Sequence, residues 1–393
     1  MQRGQAESTY AWLRLGAALG LMTLGGSGMY GIAVALAPVQ AEFGVTRADA
    51  SLPYTLTMIG FGIGGILMGK LSDRFGVMVP TVIGALGLGS GFVLAGNASS
   101  LGQFSVLHGL LIGLFGCSAT FAPLVADTAL WFNRRRGIAV AICASGNYLA
   151  GAVWPPILQT SFDTVGWRQT YVGTGIFCGA AMLLLSFALR RPPPAIQASS
   201  EKNEFSKPER PLGLSPNGLT ALLAIAGVGC CVAMSMPQVH IVAYCTDLGF
   251  GAANGAQMLS IMLAFGIVSR LVSGWICDRI GGLRTLLLGS ALQGIALVLF
   301  LPFDGLVSLY LVAALFGLFQ GGIVLMATLF GMALGGWLSG AIFDLTGSYR
   351  AAFVNGIGWN LLNLSIAFWL LRRSQKVSFQ NAPSGSYLRQ SSR

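Results

Sequence analysis

The chain has 393 residues, of which 54% are hydrophobic and 9% charged, with a mean hydropathy of +0.71. Soluble domains carry about 25% charged residues, so a water-soluble globule is excluded. The formal net charge of +10 fits nucleic acid or anionic lipid as a partner, and its distribution along the chain decides against nucleic acid.

An open sheet cannot cross a bilayer, so the apolar runs must cross as helices. The 55 glycines suit helices that approach one another closely in lipid. The expected fold class is therefore an all-α membrane protein. The first span covers roughly 15–39 and includes Tyr30. A cleaved leader is the rival reading of residues 1–41, but Arg14 interrupts its start and the apolar run is too long for a typical leader core.

The second span, roughly 51–69, ends on Gly69-Lys70-Leu71-Ser72-Asp73-Arg74-Phe75-Gly76. Spans near 77–96 and 101–130 follow, the latter holding His108 and Asp127, and then the cluster Arg134-Arg135-Arg136. These arginines read as topology and headgroup contacts, with Asp127 as a partner for the cluster. The fifth span, 137–160, carries Asn147 and Tyr148 in an Ala/Gly face, and Pro155-Pro156, which should bend it. The sixth covers 169–189.

Residues 1–190 thus form one six-helix half. The polar stretch 191–216 reads as a flexible cytoplasmic linker, and 217–373 as a second half with a disordered cytoplasmic tail at 374–393. The seventh span, 217–245, carries His240 and Gln238, with Asp247 just beyond. Histidine titrates near neutral pH, and a helix continuing through both residues would present His240 and Asp247 on one face. They are the candidates for proton coupling.

The eighth span, 256–276, contains Arg270 and ends on Gly274-Trp275-Ile276-Cys277-Asp278-Arg279-Ile280-Gly281. This repeats the first motif 205 residues on, as in a membrane protein built from structural repeats. An Asp-Arg pair at a helix end can bond to a neighbouring helix in one state and release it in another, which makes both motifs gating elements.

Arg270 precedes Asp278 by eight residues, or about 12 Å of helix, and so lies near the midplane of a core about 30 Å thick. An arginine there costs roughly 2.5–3.5 kcal/mol and is retained with a partner or a wet cavity. Its fork suits a carboxylate.

The remaining spans lie near 283–301, 306–324, 325–343 and 351–371. With the N-terminus inside, 19 of the 23 lysines and arginines fall on the cytoplasmic side, as the positive-inside rule requires. The repeat offset falls from 204 at Gly113/Gly317 to 185 at Gly146/Gly331. At least 19 residues are therefore missing near 320–331, which shortens the tenth and eleventh spans. The seven cysteines have no metal-ligand spacing and read as packing residues.

The paired Gly-x-x-x-Asp-Arg-x-Gly motifs resemble the loop signature of the major facilitator superfamily. Trp131 to Ala139 and the continuation to Gly151 resemble the fifth-helix signature of monocarboxylate transporters, above all bacterial members and the related oxalate:formate antiporters. The chain departs from animal members in lacking a first-span lysine. In those members an aspartate lies one turn before the eighth-span arginine, where Gly266 stands here, while Arg270 keeps the family spacing to Gly274. The element Thr246 to Gly249 resembles one in the bacterial proteins and favours a function for Asp247.

The resemblance implies two pseudosymmetric halves and secondary transport of a small monocarboxylate, with a proton as the coupling ion. Arg270 would hold the carboxylate, with Asn147, Tyr148 and Tyr30 beside it. No nucleotide-binding loop, zinc spacing or nucleophile–histidine set stands in the sequence, so no cofactor, metal or enzymatic activity is expected. The positive-inside charge suits a bacterial inner membrane with both termini cytoplasmic, and a monomer is expected there. The shortened spans leave two rival readings, a non-transporting sensor or an inactive truncated copy. An organic anion exchanger is the remaining alternative.

Overall fold

The computed structural model describes residues 7–193, 214–320 and 326–380. Most of the 191–216 linker, the end of the 374–393 tail and five residues of the 320–331 region lie outside the described residues. Twelve helical segments follow in order: α1 (Thr9–Phe43), α2 (Arg47–Phe75), α3 (Met78–Gly96), α4 (Leu101–Trp131), α5 (Arg136–Val165) and α6 (Trp167–Leu189). After the linker come α7 (Pro216–Asp247), α8 (Ala252–Ile280), α9 (Gly282–Leu299), α10 (Leu306–Phe319), α11 (Met326–Thr346) and α12 (Tyr349–Gln380). Eleven are long and apolar enough to cross a membrane, and α10 is a shorter apolar helix.

Helix boundaries follow local chemistry. The Ser8, Thr46, Ser100 and Ser215 side chains accept hydrogen bonds from the first turns of α1, α2, α4 and α7, satisfying amides that have no partner within the helix. The two motifs close their helices in the same way. Gly76 and Gly281 adopt φ of +81° and +84°, and their amides donate to the Ser72 and Cys277 carbonyls at 2.8 and 2.9 Å. Only glycine adopts that conformation at little cost, which explains the last position of the motif.

Close packing has a local cause as well. The middle of α4, His108–Cys117, is π-helical and lies against Gly60 and Gly64 of α2. A Cβ added at Gly113 would stand 2.5 Å from the Thr57 carbonyl oxygen, so any side chain there would force α2 and α4 apart.

Packing repeats with the sequence. In the first half α1 lies on α5, α2 on α4 and α3 on α6; six helices later α7 lies on α11, α8 on α10 and α9 on α12. The halves meet through α2 with α11 and α5 with α8. Because α2 and α8 each end on an Asp-Arg motif, both motifs lie at one end of the bundle, here the motif end; α2 begins, and α7 and α11 finish, at the far end.

The shortening is visible in helix lengths. The tenth helix has 14 residues where its counterpart α4 has 31, and α11 has 21 where α5 has 30. Fourteen residues rise about 21 Å, less than a hydrocarbon core of about 30 Å. Pro155 and Pro156 lie within α5, which continues through them as one helix.

Two expectations near the start of the chain are corrected. Arg14 lies within α1 and is buried, and Asp127 pairs with it and not with the arginine cluster. The bond is bidentate, Nε to Oδ2 at 2.9 Å and Nη2 to Oδ1 at 2.8 Å, with the guanidinium 4.8 Å from the Trp131 ring centroid. A desolvated arginine needs both oxygens of one carboxylate, whereas Arg134 to Arg136 are exposed and solvated.

Candidate functional site: a cavity between the two halves

A cavity of about 230 Å³ lies between the halves. Tyr30 from α1, Asn147 and Tyr148 from α5 and Arg270 from α8 all line it. These four residues were singled out from the sequence as substrate ligands, and the fold brings them to one cavity. The Arg270 guanidinium carbon stands 4.7 Å from the Tyr148 ring centroid, a cation–π contact that orients the fork without neutralising it. Among the described residues no carboxylate lies within ion-pair distance of Arg270.

Gly266 explains how Tyr148 reaches this position. A Cβ at residue 266 would stand 2.5 Å from the Tyr148 ring and 2.8 Å from Gln320 Nε2. The tyrosine therefore occupies the space that an aspartate at this place would need, one turn from Arg270.

Gln238 and Gln320 also line the cavity, but their amides are committed. Gln238 Nε2 donates to Gln320 Oε1 at 2.6 Å, and Gln320 Nε2 donates to the Met262 carbonyl at 3.3 Å. Phe61 of α2 and Phe121 of α4, edge to face at 6.0 Å, form an aromatic corner in the lining, and Met29 and Met332 line the cavity as well. Phenylalanine and methionine inside an apolar span carry no sequence signal of facing a cavity, and these residues were not anticipated.

His240 and Asp247 do not line the cavity; both belong to a polar cluster at the far end. Arg47 at the start of α2 reaches across to Asp247, Nη1 to Oδ2 at 3.2 Å, and donates to the Tyr349 hydroxyl at 2.8 Å. From α11, Asp344 accepts the backbone N–H groups of Arg47 and Ala48 at 2.8 and 2.7 Å. A carboxylate of one half thus caps a helix of the other, where the helix dipole favours negative charge. His240 is fully buried, with Nδ1 3.1 Å from the Tyr349 hydroxyl and Nε2 2.8 Å from the Gly336 carbonyl oxygen. The seventh helix runs unbroken through His240 and Asp247, as a shared face requires.

Neither Arg47 nor Asp344 was singled out from the sequence. In the first half Asp163, which follows a phenylalanine as Asp344 does, accepts instead from Gln159 of its own helix at 2.9 Å.

The motif end is different. Asp73, Arg74 and Arg279 are exposed. Arg74 stacks on Phe75 at 5.2 Å and Arg279 on Trp275 at 4.2 Å. Among the described residues no ion pair joins either motif to the other half; the Asp278 side chain lies outside the described part. Polar contacts between the halves instead lie at the far end or the middle, as with Thr55 Oγ1 to the Ala333 carbonyl at 3.1 Å and Ser260 Oγ to the Ala152 carbonyl.

Comparison with known proteins agrees with this geometry. The model of the Major Facilitator Superfamily matches residues 17–327. Monocarboxylate transporter 13 of Rattus norvegicus is 29% identical over 331 residues, 78% of this chain and 75% of that protein. Monocarboxylate transporter 11 of Homo sapiens is 28% identical over 395 residues, covering 89% and 81%. A crystal structure of a bacterial homologue of the human lysosomal transporter Spinster, in an inward-facing and occupied conformation, superposes with a TM-score of 0.72 at 15% identity, over 96% of this chain and all of that one. A repeated six-helix packing, a cavity between the halves and a family match over most of the length lead to one conclusion: the chain belongs to the Major Facilitator Superfamily and is a multi-pass membrane transporter.

Proposed function

We propose that the protein moves a monocarboxylate across the membrane by alternating access, with Arg270 holding the carboxylate. One observation carries this reading: a guanidinium near mid-span faces a cavity, braced on Tyr148 and lacking any described carboxylate partner. A cation placed there needs a compensating anion, and a bidentate carboxylate supplies one. A single cation at the cavity wall favours one carboxylate over two, which sets a dicarboxylate exchanger behind a monocarboxylate carrier. The relatives named as monocarboxylate transporters support the same substrate class.

The orientation proposed from the positive-inside rule puts the motif end and both termini in the cytoplasm of a bacterial cell, with the protein acting as a monomer. The far-end cluster is then an outer gate, closed here, with the Asp-Arg motifs as its released inner counterpart. In this proposal a proton acts at the outer gate. Arg47 engages the Asp247 carboxylate and, through Tyr349, shares the cluster with His240, so a proton delivered to that cluster would weaken closure.

A second reading, a sensor or an inactive copy that binds without transport, is supported by the 14-residue α10. Uptake of labelled lactate, pyruvate, glycolate, formate and oxalate, with larger monocarboxylates alongside, decides between them. Arg270-dependent uptake of a monocarboxylate, rising with an inward proton gradient, is expected. Arg270-dependent binding without uptake would leave the sensor. Equal uptake by wild type and Arg270→Ala would remove the carboxylate reading.

A further inference from the structure

The same cavity restricts the acid. We infer that the substrate is an arylalkyl monocarboxylate, such as a phenyl-substituted acetate or propionate, and not a two- or three-carbon acid; this rests on the reading of Arg270 as the carboxylate ligand.

The first ground is size. The cavity of about 230 Å³ is many times the roughly 10–15 Å³ that a single water needs on the same measure. A three-carbon acid would leave much of this space as water against apolar walls.

The second ground is the supply of free polar groups. Arg270, Tyr30, Tyr148 and Asn147 make no side-chain hydrogen bond within the described residues and line one cavity. They can satisfy the oxygens of one carboxylate. The remaining amides, Gln238 and Gln320, are tied to each other and to the Met262 carbonyl. A polyhydroxy acid or a second carboxylate would therefore find few partners, and buried polar groups without partners are costly.

The third ground is the aromatic part of the lining. Phe61 and Phe121 form an edge-to-face corner at 6.0 Å and 82°, the arrangement into which a third ring fits by offset or edge contact. Met29 and Met332 also line the cavity, with polarizable sulfur that suits contact with an aromatic ring. A side cleft of about 10 Å³ extends past Phe61, Phe121 and Asn147 towards Cys117.

The arrangement is also divided between the halves. Arg270 belongs to α8 of the second half, while Tyr30, Asn147, Tyr148 and the aromatic corner belong to the first. A ring on the corner adds contact with α2 and α4 beyond what the carboxylate makes, so its binding free energy can favour the state in which the halves close around it. A short acid at Arg270 would leave the corner of the first half empty.

The test uses the full-length protein, purified and checked for an unchanged melting temperature, with 3-phenylpropionate, lactate and 3-phenylpropanol measured by calorimetry. 3-Phenylpropionate is expected to bind at least about tenfold more tightly than lactate, given the apolar area it buries. Phe121→Ala should weaken 3-phenylpropionate by roughly tenfold and leave lactate within about twofold. Phe61→Leu, a milder change, should shift the same ratio in the same direction. Arg270→Ala should weaken both acids.

Lactate binding as tightly as 3-phenylpropionate in an Arg270-dependent manner would overturn the arylalkyl inference and leave the carboxylate reading standing. Binding of 3-phenylpropanol as tight as that of the acid would overturn the carboxylate reading and this inference with it. So would failure of the folded protein to bind either acid.

Discussion

The two ends of the interface between the halves use similar residues in opposite ways. At the far end Arg47, Asp247, Asp344 and Tyr349 join α2 to α7, α11 and α12 through charged hydrogen bonds of 2.7–3.3 Å. At the motif end Asp73, Arg74 and Arg279 have the same chemistry, yet they are exposed, and the two arginines stack on aromatic neighbours. Having charges at both ends does not determine which end is shut; the engaged set does. A transporter that alternates must break the first set and form contacts at the second, so substitutions at the two ends should act oppositely on the balance of states.

Arg47→Ala should have the largest effect. It leaves Asp247 and the Tyr349 hydroxyl without their partner; with Arg47 buried but Asp247 35% exposed and partly screened by water, the cost is about 2 kcal/mol, or roughly a 30-fold shift towards a far-end-open state. Spin labels at exposed Ser99 and Thr346, one in each half, should report a longer distance by pulsed electron resonance. An unchanged distance would mean that the cluster does not hold the far end closed.

Asp344→Ala should act less strongly, by about 1 kcal/mol, because it removes a helix cap while leaving the Arg47–Asp247 pair in place. Asp247→Asn should act more weakly still, by about 0.5–1 kcal/mol, since its side chain is 35% exposed and water screens the pair. Exchanging the charges with Arg47→Asp and Asp247→Arg should restore part of the closure. A double variant no better than either single would argue that the pair contributes nothing.

The smallest effect in the closed state belongs to the motif end. Asp73→Asn should change the melting temperature hardly at all, within about 0.5 kcal/mol for an exposed residue without partners, and yet slow turnover, because the bond it would form belongs to the other state. A large loss of stability would contradict a released motif.

How far this was legible in the sequence depends on the kind of signal. The fold followed from apolar run length, the repeated motif and the bias of positive charge, all of which survive in one dimension. Arg270 was legible because an arginine in an apolar run has a high solvation cost that must be met. Asn147 and Tyr148 were legible because they interrupt small residues.

Phe61, Phe121, Met29 and Met332 were not legible. In spans that are apolar on every side, nothing local marks the face that meets a cavity. The far-end cluster was hidden for another reason: Arg47 and Asp247 are 200 positions apart, and Arg47 and Asp344 are 297. Asp127 was assigned to the nearest arginines in sequence, whereas its partner Arg14 stands 113 residues away. Proximity along the chain is a poor guide in a helical bundle whose neighbours come from different spans.

The most direct measurement is calorimetric titration of wild-type and Arg270→Ala protein with a bound monocarboxylate and with its primary amide. The acid should bind wild type, the amide should bind at least tenfold more weakly, and Arg270→Ala should lose the preference for the acid with its melting temperature unchanged. Acid and amide bound equally by wild type, or an acid bound equally by both proteins, would contradict a carboxylate site at Arg270.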